Sequence, residues 1–437
     1  MEHEIVNNLK NSNKILSGSG QDLWERAKKV IPGGSMLFSK RADLFLPNLW
    51  PTYFSKTLGC EVYDLDGCKY QDFSLMGVGT NTLGYSNPEV DEAVKLTIAS
   101  GNMSTFNCPE EVYLAEKLIE MHPWFDMARF TRSGGEANAV AIRIARAASG
   151  REQVAICGYH GWHDWYLAAN LKNDSSLKTH LLDGLDAKGV PTGLSGSALT
   201  FNYNDFESLQ QIVDEHSIGV IKMEVSRNFE PTGSFLQKVR SLADKHNIVL
   251  VFDECTSGFR ETWGGLHKKY NVKPDMAVFG KALGNGYAIN AVLGKREIME
   301  CAQSTFISST FWTERIGPTA ALKTLEIMNR EKSWEKITAV GKKIRNVWLR
   351  VAQDHKLDIE INGLFALSNF IFRSPHHQIY KTFITQEMLK KGFLANTTFY
   401  ASTCHSDVLI GQYEAALNDV FACISECERG VVDIRGL

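Results

Sequence analysis

Short, dense apolar runs recur along this chain, each closed by a polar or small residue. Ile248-Val249-Leu250-Val251-Phe252 closes at Asp253, and Met276-Ala277-Val278-Phe279 at Gly280. Gln153-Val154-Ala155-Ile156-Cys157 closes at Gly158, and Val220-Ile221-Lys222-Met223 at Glu224. Such runs, rich in β-branched residues and without polar alternation, predict strands buried on both faces of a parallel sheet. Ala128–Arg132 predicts a further short strand, and the alanine-rich stretch 137–148 a helix. Helices are also expected around Gln21–Val30 and from about Gly317 to Met328. A hairpin turn is expected at Asp64-Leu65-Asp66-Gly67, after a strand near Glu61–Leu65. Strand patterns at Lys356–Gly363 and Phe365–Phe372 mark a second, smaller region. The pattern is that of an α/β fold: a large domain with a mostly parallel sheet flanked by helices, and a smaller α+β domain.

In an open α/β sheet, ligand chemistry collects beyond the carboxyl ends of the strands. Asp253 and Lys281 both fall there. An amine at that edge can form a Schiff base with a carbonyl cofactor, and a carboxylate can pair with a pyridinium nitrogen. Taken singly, Lys281 reads as a solvated loop residue and Asp253 as a cap or surface pair. Other features converge on the same edge. Ser133-Gly134-Gly135-Glu136 has capping-box spacing, and its glycines leave backbone N–H groups and the positive helix end open to a phosphate. An ordinary capped helix has the same pattern. Tyr159, after a predicted strand, could stack on a heteroaromatic ring. His160 and His163 lack a third metal ligand of convincing spacing, so no metal is expected. Ser308-Ser309-Thr310 could add hydroxyl donors to a phosphate.

With these motifs in place, the chain resembles the class III aminotransferases of the fold-type-I pyridoxal-phosphate enzymes, and within them the glutamate-1-semialdehyde 2,1-aminomutases. The resemblance rests on Leu23-Trp24-Glu25-Arg26-Ala27, Ile31-Pro32-Gly33-Gly34, Ser133 to Arg146, Tyr159-His160-Gly161, Asp253 to Arg260, Pro274-Asp275 and Gly280-Lys281. It implies a seven-stranded-type sheet in the large domain and a homodimer with active sites at the subunit interface. It also implies pyridoxal 5'-phosphate as cofactor. Lys281 would hold the cofactor as a Schiff base and shuttle the proton, and Asp253 would keep the pyridine nitrogen protonated. Ser133, Gly134, Gly135, Tyr159, His160 and Glu224 would complete the cofactor site. Asn228 would lie near the ring hydroxyl, and Thr310 would reach the phosphate of the neighbouring subunit. Domain limits follow from pattern and resemblance together: an N-terminal segment 1–65 packing with a small domain 326–437, and a large cofactor domain 66–325.

The departures bear on substrate. Lys40 stands where the aminomutases place an arginine for the substrate carboxylate, and lysine lacks the planar fork that grips a carboxylate twice. The turn after Lys281 is less glycine-rich, and Thr313–Pro318 replaces a Gly-Asn-Pro pattern. An aminotransferase moving an amino group between a donor and a separate carbonyl acceptor is therefore expected. Intramolecular amino transfer and a regulatory protein that has lost turnover are the alternatives. Trp50, Tyr53, Phe54, Trp162, Trp165, Phe311 and Trp312 suggest a sugar-like or surface-polysaccharide precursor, although core or interface packing is the favoured account of them.

Composition adds little. A net charge of −3 gives no electrostatic case for nucleic acid or an anionic membrane. No apolar run reaches membrane-spanning length, and Met1-Glu2-His3-Glu4 lacks the features of a signal segment. Nine cysteines at irregular spacing point to reduced thiols and a cytoplasmic setting, and the pair Cys423 and Cys427 alone makes no zinc site.

Overall fold

The computed structural model describes residues 18–173, 176–180, 187–226 and 228–434. The Met1–Glu4 start, expected to carry no signal segment, lies outside them. The chain divides into two compact units: residues Pro88–Thr338, and the residues up to Asn87 together with those from Ala339 onward.

The second of these units opens with the helix Ser19–Val30, whose Trp24 and Ala27 are buried with Ala42. Strands β1 (Phe54–Leu58), β2 (Glu61–Asp64) and β3 (Lys69–Phe73) follow as an antiparallel meander. The predicted hairpin turn joins β2 to β3. Asp64 closes it by accepting the N–H groups of Asp66 at 3.0 Å and Cys68 at 2.8 Å, the local bonding that favours aspartate in turns.

The unit Pro88–Thr338 holds a seven-stranded sheet of β4 (Met127–Thr131), β5 (Gln153–Cys157), β6 (Ala198–Thr200), β7 (Ile218–Glu224), β8 (Val249–Glu254), β9 (Met276–Phe279) and β10 (Asn290–Gly294). Their order is β4-β10-β9-β8-β7-β5-β6. Strands β5 to β9 pair in parallel, while β10 runs antiparallel to both its neighbours, β9 and β4. Two reversals cancel, so β4 points the same way as β5–β9. Every residue of β7 and β8 is buried, which is why their sequences read as unbroken apolar runs. On one face the helix Gly134–Ser149 sets Ala137, Val140, Ala141 and Ile144 in a single apolar cluster with Val154, Ile156, Val220, Val251 and Val278. The expected α/β fold with a mostly parallel seven-stranded sheet is thus present.

The chain then returns to the other unit through β11 (Ile359–Leu364), β12 (Leu367–Phe372), β13 (Phe393–Ala395) and β14 (Thr398–Tyr400). Strand β12 pairs antiparallel with β11 and with β14, and β13 adds in parallel beside β3. That last pairing explains why the unit takes in residues to Asn87, where the sequence placed a boundary at 65. The backbone of β3 divides its hydrogen bonds between β2 and the C-terminal β13. Likewise the helix Ile316–Glu331 packs on the helices Pro88–Ser100 and Pro109–Met121, which carries the other boundary past 325 to Thr338.

Asp275 is the polar tie of the large sheet. It accepts the Leu250 N–H at 2.9 Å, Arg240 Nη1 at 2.9 Å and Lys295 Nζ at 2.7 Å, joining β8, the helix Phe235–Lys245 and the residue that follows β10. Removing one partner of a largely buried pair leaves the others uncompensated. Asp275→Ala is expected to lower the unfolding free energy by about 2–3 kcal/mol, read as a fall in the denaturant midpoint.

Candidate active site

The strand directions decide which residues meet. Because β4 and β5–β9 all end at one edge, the residues following them are delivered there together. Strand β10, being reversed, starts at that edge, with Asn290 opposite Thr131. Seven chain segments therefore converge.

Asp253 is the centre. It is 3% exposed, and register places it between Glu224 on β7 and Val278 on β9. Its Oδ2 accepts a bond from His160 Nδ1 at 2.8 Å and lies 3.8 Å from Lys222 Nζ, while Oδ1 accepts the Cys255 N–H at 3.0 Å. Burial pushes the carboxyl upward. The Lys222 ammonium, the His160 ring and the Cys255 N–H outweigh burial and hold it well below the usual carboxylate range. His160 is fully buried, and its other nitrogen lies 3.2 Å from the Cys157 carbonyl. A carboxylate has about four lone-pair directions. The two hydrogen bonds leave room for one more donor, such as a ring N–H.

Lys281 begins the turn after β9, with its Nζ donating to Thr256 Oγ1 at 2.8 Å. Its backbone is left-handed, with φ 46°, the kind of strain that persists where surrounding structure enforces it. A Cβ on Gly280 before it would fall 1.9 Å from Asn290 Nδ2, so any larger residue there would displace the Asn290 side chain. Cys255 Sγ accepts from the same Asn290 Nδ2 at 3.6 Å.

The helix Gly134–Ser149 starts at this edge. The predicted capping box is present: the Glu136 N–H reaches Ser133 Oγ, and Glu136 Oε2 accepts the Ser133 N–H at 2.9 Å. A Cβ built on Gly134 would sit 3.7 Å from Cys255 Sγ and 3.8 Å from Asn290 Nδ2, so this helix end faces the ends of β8 and β10. The N–H groups of Gly134 and Gly135 have no acceptor among the described residues, leaving them for an anion. Tyr159 follows β5; its N–H donates to Glu224 Oε2 at 3.1 Å, and its side chain keeps 39% of its surface exposed. Glycine is favoured at 158 by its φ of 112°, and a Cβ there would also displace the same Glu224 oxygen, 2.6 Å away.

Ser133, Gly134, Gly135, Tyr159, His160, Glu224, Asp253 and Lys281 are thus brought to one edge. Asn228 and Thr310 are exposed, on a bend after β7 and in the short helix Thr310–Thr313. Lys40 and Trp50 belong to the other unit; Lys40 is exposed, and Trp50 stacks on Phe45 at 4.4 Å. Sequence reasoning missed Thr256, Asn290 and Lys222. The signal for Lys222 was a charge inside an apolar run. Nothing in the sequence marks Asn290, which depends on the reversal of β10. Among the described residues no group of three or more His, Cys, Asp or Glu side chains is placed to hold a metal, and no helix is long and apolar enough to cross a membrane.

A primary amine, an enforced carboxylate, an open aromatic ring and a helix N-terminus fit a phosphorylated pyridine aldehyde. The comparisons agree. The family model "Aminotransferase class-III" matches residues 47–404. The chain is 32% identical over 384 residues to a 3-aminobutyryl-CoA aminotransferase of Cloacimonas acidaminovorans, covering 85% of this chain and 88% of that protein. It is 31% identical over 363 residues to a glutamate-1-semialdehyde 2,1-aminomutase of Methanococcoides burtonii, covering 80% and 83%. Among solved structures, the FumI protein of Sphingopyxis sp. MTA144, in a pyridoxal phosphate form, superposes with TM-score 0.83 at 25% identity, covering 94% and 98%. An omega-transaminase from Sphaerobacter thermophilus shares the fold, with TM-score 0.81 at 22% identity and 93% and 97% coverage.

Behind Asp253 lies a second buried pair. Glu254 Oε1 is 2.7 Å from His267 Nδ1, and His122 accepts the Gly265 N–H at 3.0 Å. Burial holds the His122 ring down to about 4. In the unfolded chain it titrates near 6.5, so between those values the unfolded state binds the extra proton and stability falls as pH falls. His122 alone should contribute a slope of up to about 1.4 kcal/mol per pH unit over that window. Denaturant titrations at stepped pH should show stability falling over this window, and His122→Phe should reduce the slope by up to that amount, the half-buried His180 ring supplying part of what remains.

Proposed function

The chain belongs to the class-III aminotransferase family, and from that premise we propose that it transfers an amino group between a donor and a separate carbonyl acceptor. The enzyme is a pyridoxal-phosphate-dependent transaminase or aminomutase. The cofactor supplies an aldehyde that takes up amines and a pyridinium ring that withdraws the electrons left when the carbon beside the nitrogen loses its proton.

This chain's residues do the rest. Lys281 would hold the cofactor through its Nζ and would move the proton with the same atom. Thr256 orients that amine. Asp253 keeps the ring nitrogen protonated, with His160 holding Oδ2 in place. Gly134 and Gly135 bind the phosphate through their N–H groups, with Ser133 fixing the helix end. Tyr159, its backbone N–H held by Glu224, would stack on the ring. Asn228 is assigned to the ring hydroxyl side on sequence correspondence alone. Thr310, exposed, is offered to the phosphate of a second subunit in a homodimer; the exposed Phe306 and Phe311 near it in sequence supply apolar surface for that contact. All nine cysteines are free thiols, which suits a reducing cytoplasm.

The observation that carries the chemistry is the meeting of Lys281 and the enforced Asp253 carboxylate at one sheet edge. For the substrate, an amino acid derivative with its amino group beyond an acyl group is favoured by the match to the 3-aminobutyryl-CoA aminotransferase. Lys40 in place of an arginine argues for transfer over internal rearrangement. The matches to aminomutases keep internal rearrangement as the second reading. A sugar-like carbonyl has less behind it, since one face of Trp50 is taken by Phe45 and Trp165 is buried in the core.

Borohydride reduction followed by peptide mapping should place the cofactor on Lys281; a label elsewhere removes the assignment. Lys281→Ala should lose roughly a thousandfold or more in turnover. Adding donors singly should release keto product matching the cofactor present. Isomerisation of glutamate-1-semialdehyde without an acceptor would establish the second reading instead.

A further inference from the structure

Lys222 breaks the rule of its own strand. Its side chain is 0% exposed, in a run otherwise apolar from Val220 to Met223. Alternation puts it on the same face as Val220, and register puts it between Ile156 of β5 and Val251 of β8. Those three residues belong to the apolar layer that also contains Ala137, Val140, Ala141 and Ile144 of the helix Gly134–Ser149. The buried residues of that helix carry no charge. Lys222 Nζ has no hydrogen-bond acceptor among the described residues. Its nearest anionic atom is Asp253 Oδ2 at 3.8 Å, too long for a hydrogen bond but close enough for strong attraction in a dry layer. The other titratable groups facing it are Cys255 and Glu224. The Glu224 carboxylate is turned to the Tyr159 N–H and to Gly158.

One buried carboxylate compensates one buried cation. Without cofactor, that cation at Asp253 is the Lys222 ammonium. When a protonated ring nitrogen docks on Asp253, the same oxygen atoms face two cations, and an uncompensated charge in an apolar layer is strongly disfavoured. We propose that Lys222 is a charge-balancing positioning residue: it carries the proton that neutralises Asp253 in the free protein and gives that proton up to solvent when a ring N–H takes Asp253 over. One Nζ–H bond breaks, the electron pair stays on nitrogen and the proton leaves to water; the ring N–H stays intact. Burial, which already pulls Lys222 below the usual lysine range, favours the neutral amine. The inference rests on the reading that Asp253 meets the ring nitrogen.

The test uses the full-length apoprotein and pyridoxamine 5'-phosphate, which offers the same ring and phosphate but no aldehyde for Lys281. Calorimetric titrations in buffers of different ionisation enthalpy count the protons released. Wild type should release about one more proton per site than Lys222→Met; equal counts overturn the proposal. Lys222→Arg keeps a charge it cannot shed, and should bind roughly tenfold or more weakly than Lys222→Met. Binding as tight as that of Lys222→Met also overturns it. If circular dichroism shows that Lys222→Met is unfolded, Lys222→Gln serves in its place. Asp253→Asn separates the two layers of argument. Unchanged affinity there removes the Asp253 reading itself, whereas weakened affinity with equal proton counts in wild type and Lys222→Met removes only the role of Lys222.

Discussion

A single negative charge, kept ionised where there is little water to support it, organises this enzyme. Burial alone pushes the Asp253 carboxyl upward, toward protonation. The structure surrounds it with a ring nitrogen of His160, a backbone N–H and an ammonium, and those partners outweigh the desolvation. Such an arrangement is not an efficient way to stabilise a fold, since well-packed apolar residues do as well. Its sense is chemical. Under the proposed function, a carboxylate held ionised is what a ring nitrogen would need to keep its proton while the adjacent carbon loses one.

The rest of the site follows from strand direction. Parallel strands end together, so groups far apart in sequence arrive at one edge without long loops. Their supports are backbone features more than side chains: a capped helix end, a left-handed lysine, and two glycines whose replacement would drive a Cβ into Asn290 or Glu224. Amino-group chemistry depends on positioned atoms, and these features position atoms.

Most of this was legible in the residues. The strands β5 and β7–β9 announced themselves as apolar runs because both their faces are buried, and the residues closing those runs are the ones that meet. The helix at Gly134 was visible through its capping box. Strand β10 was not, because Asn290–Gly294 is short and nothing local records that it runs backwards; with it went Asn290. The domain limits were hidden for a related reason: the partner of β3 lies more than three hundred residues later, at Phe393–Ala395. Thr256 was quoted within a motif, yet its bond to Lys281 exists only once two strand ends sit side by side. Lys40 and Trp50 sit in the unit that does not carry the seven-stranded sheet, and their part in substrate choice is read from sequence.

The reversal of β10 has one more consequence. Strands β5 to β8 each hand the chain to a crossover that leaves the edge and comes back elsewhere. Strand β9 does not: it ends at the edge, and β10 sets out from the same place, one ladder over. Lys281 therefore rides on the sheet's tightest strap, with both feet in a single row of hydrogen bonds. A crossover can gain or lose residues on the far side without disturbing a reacting atom. Between Gly280 and Asn290 there is no far side, and any change of length is felt at the amine.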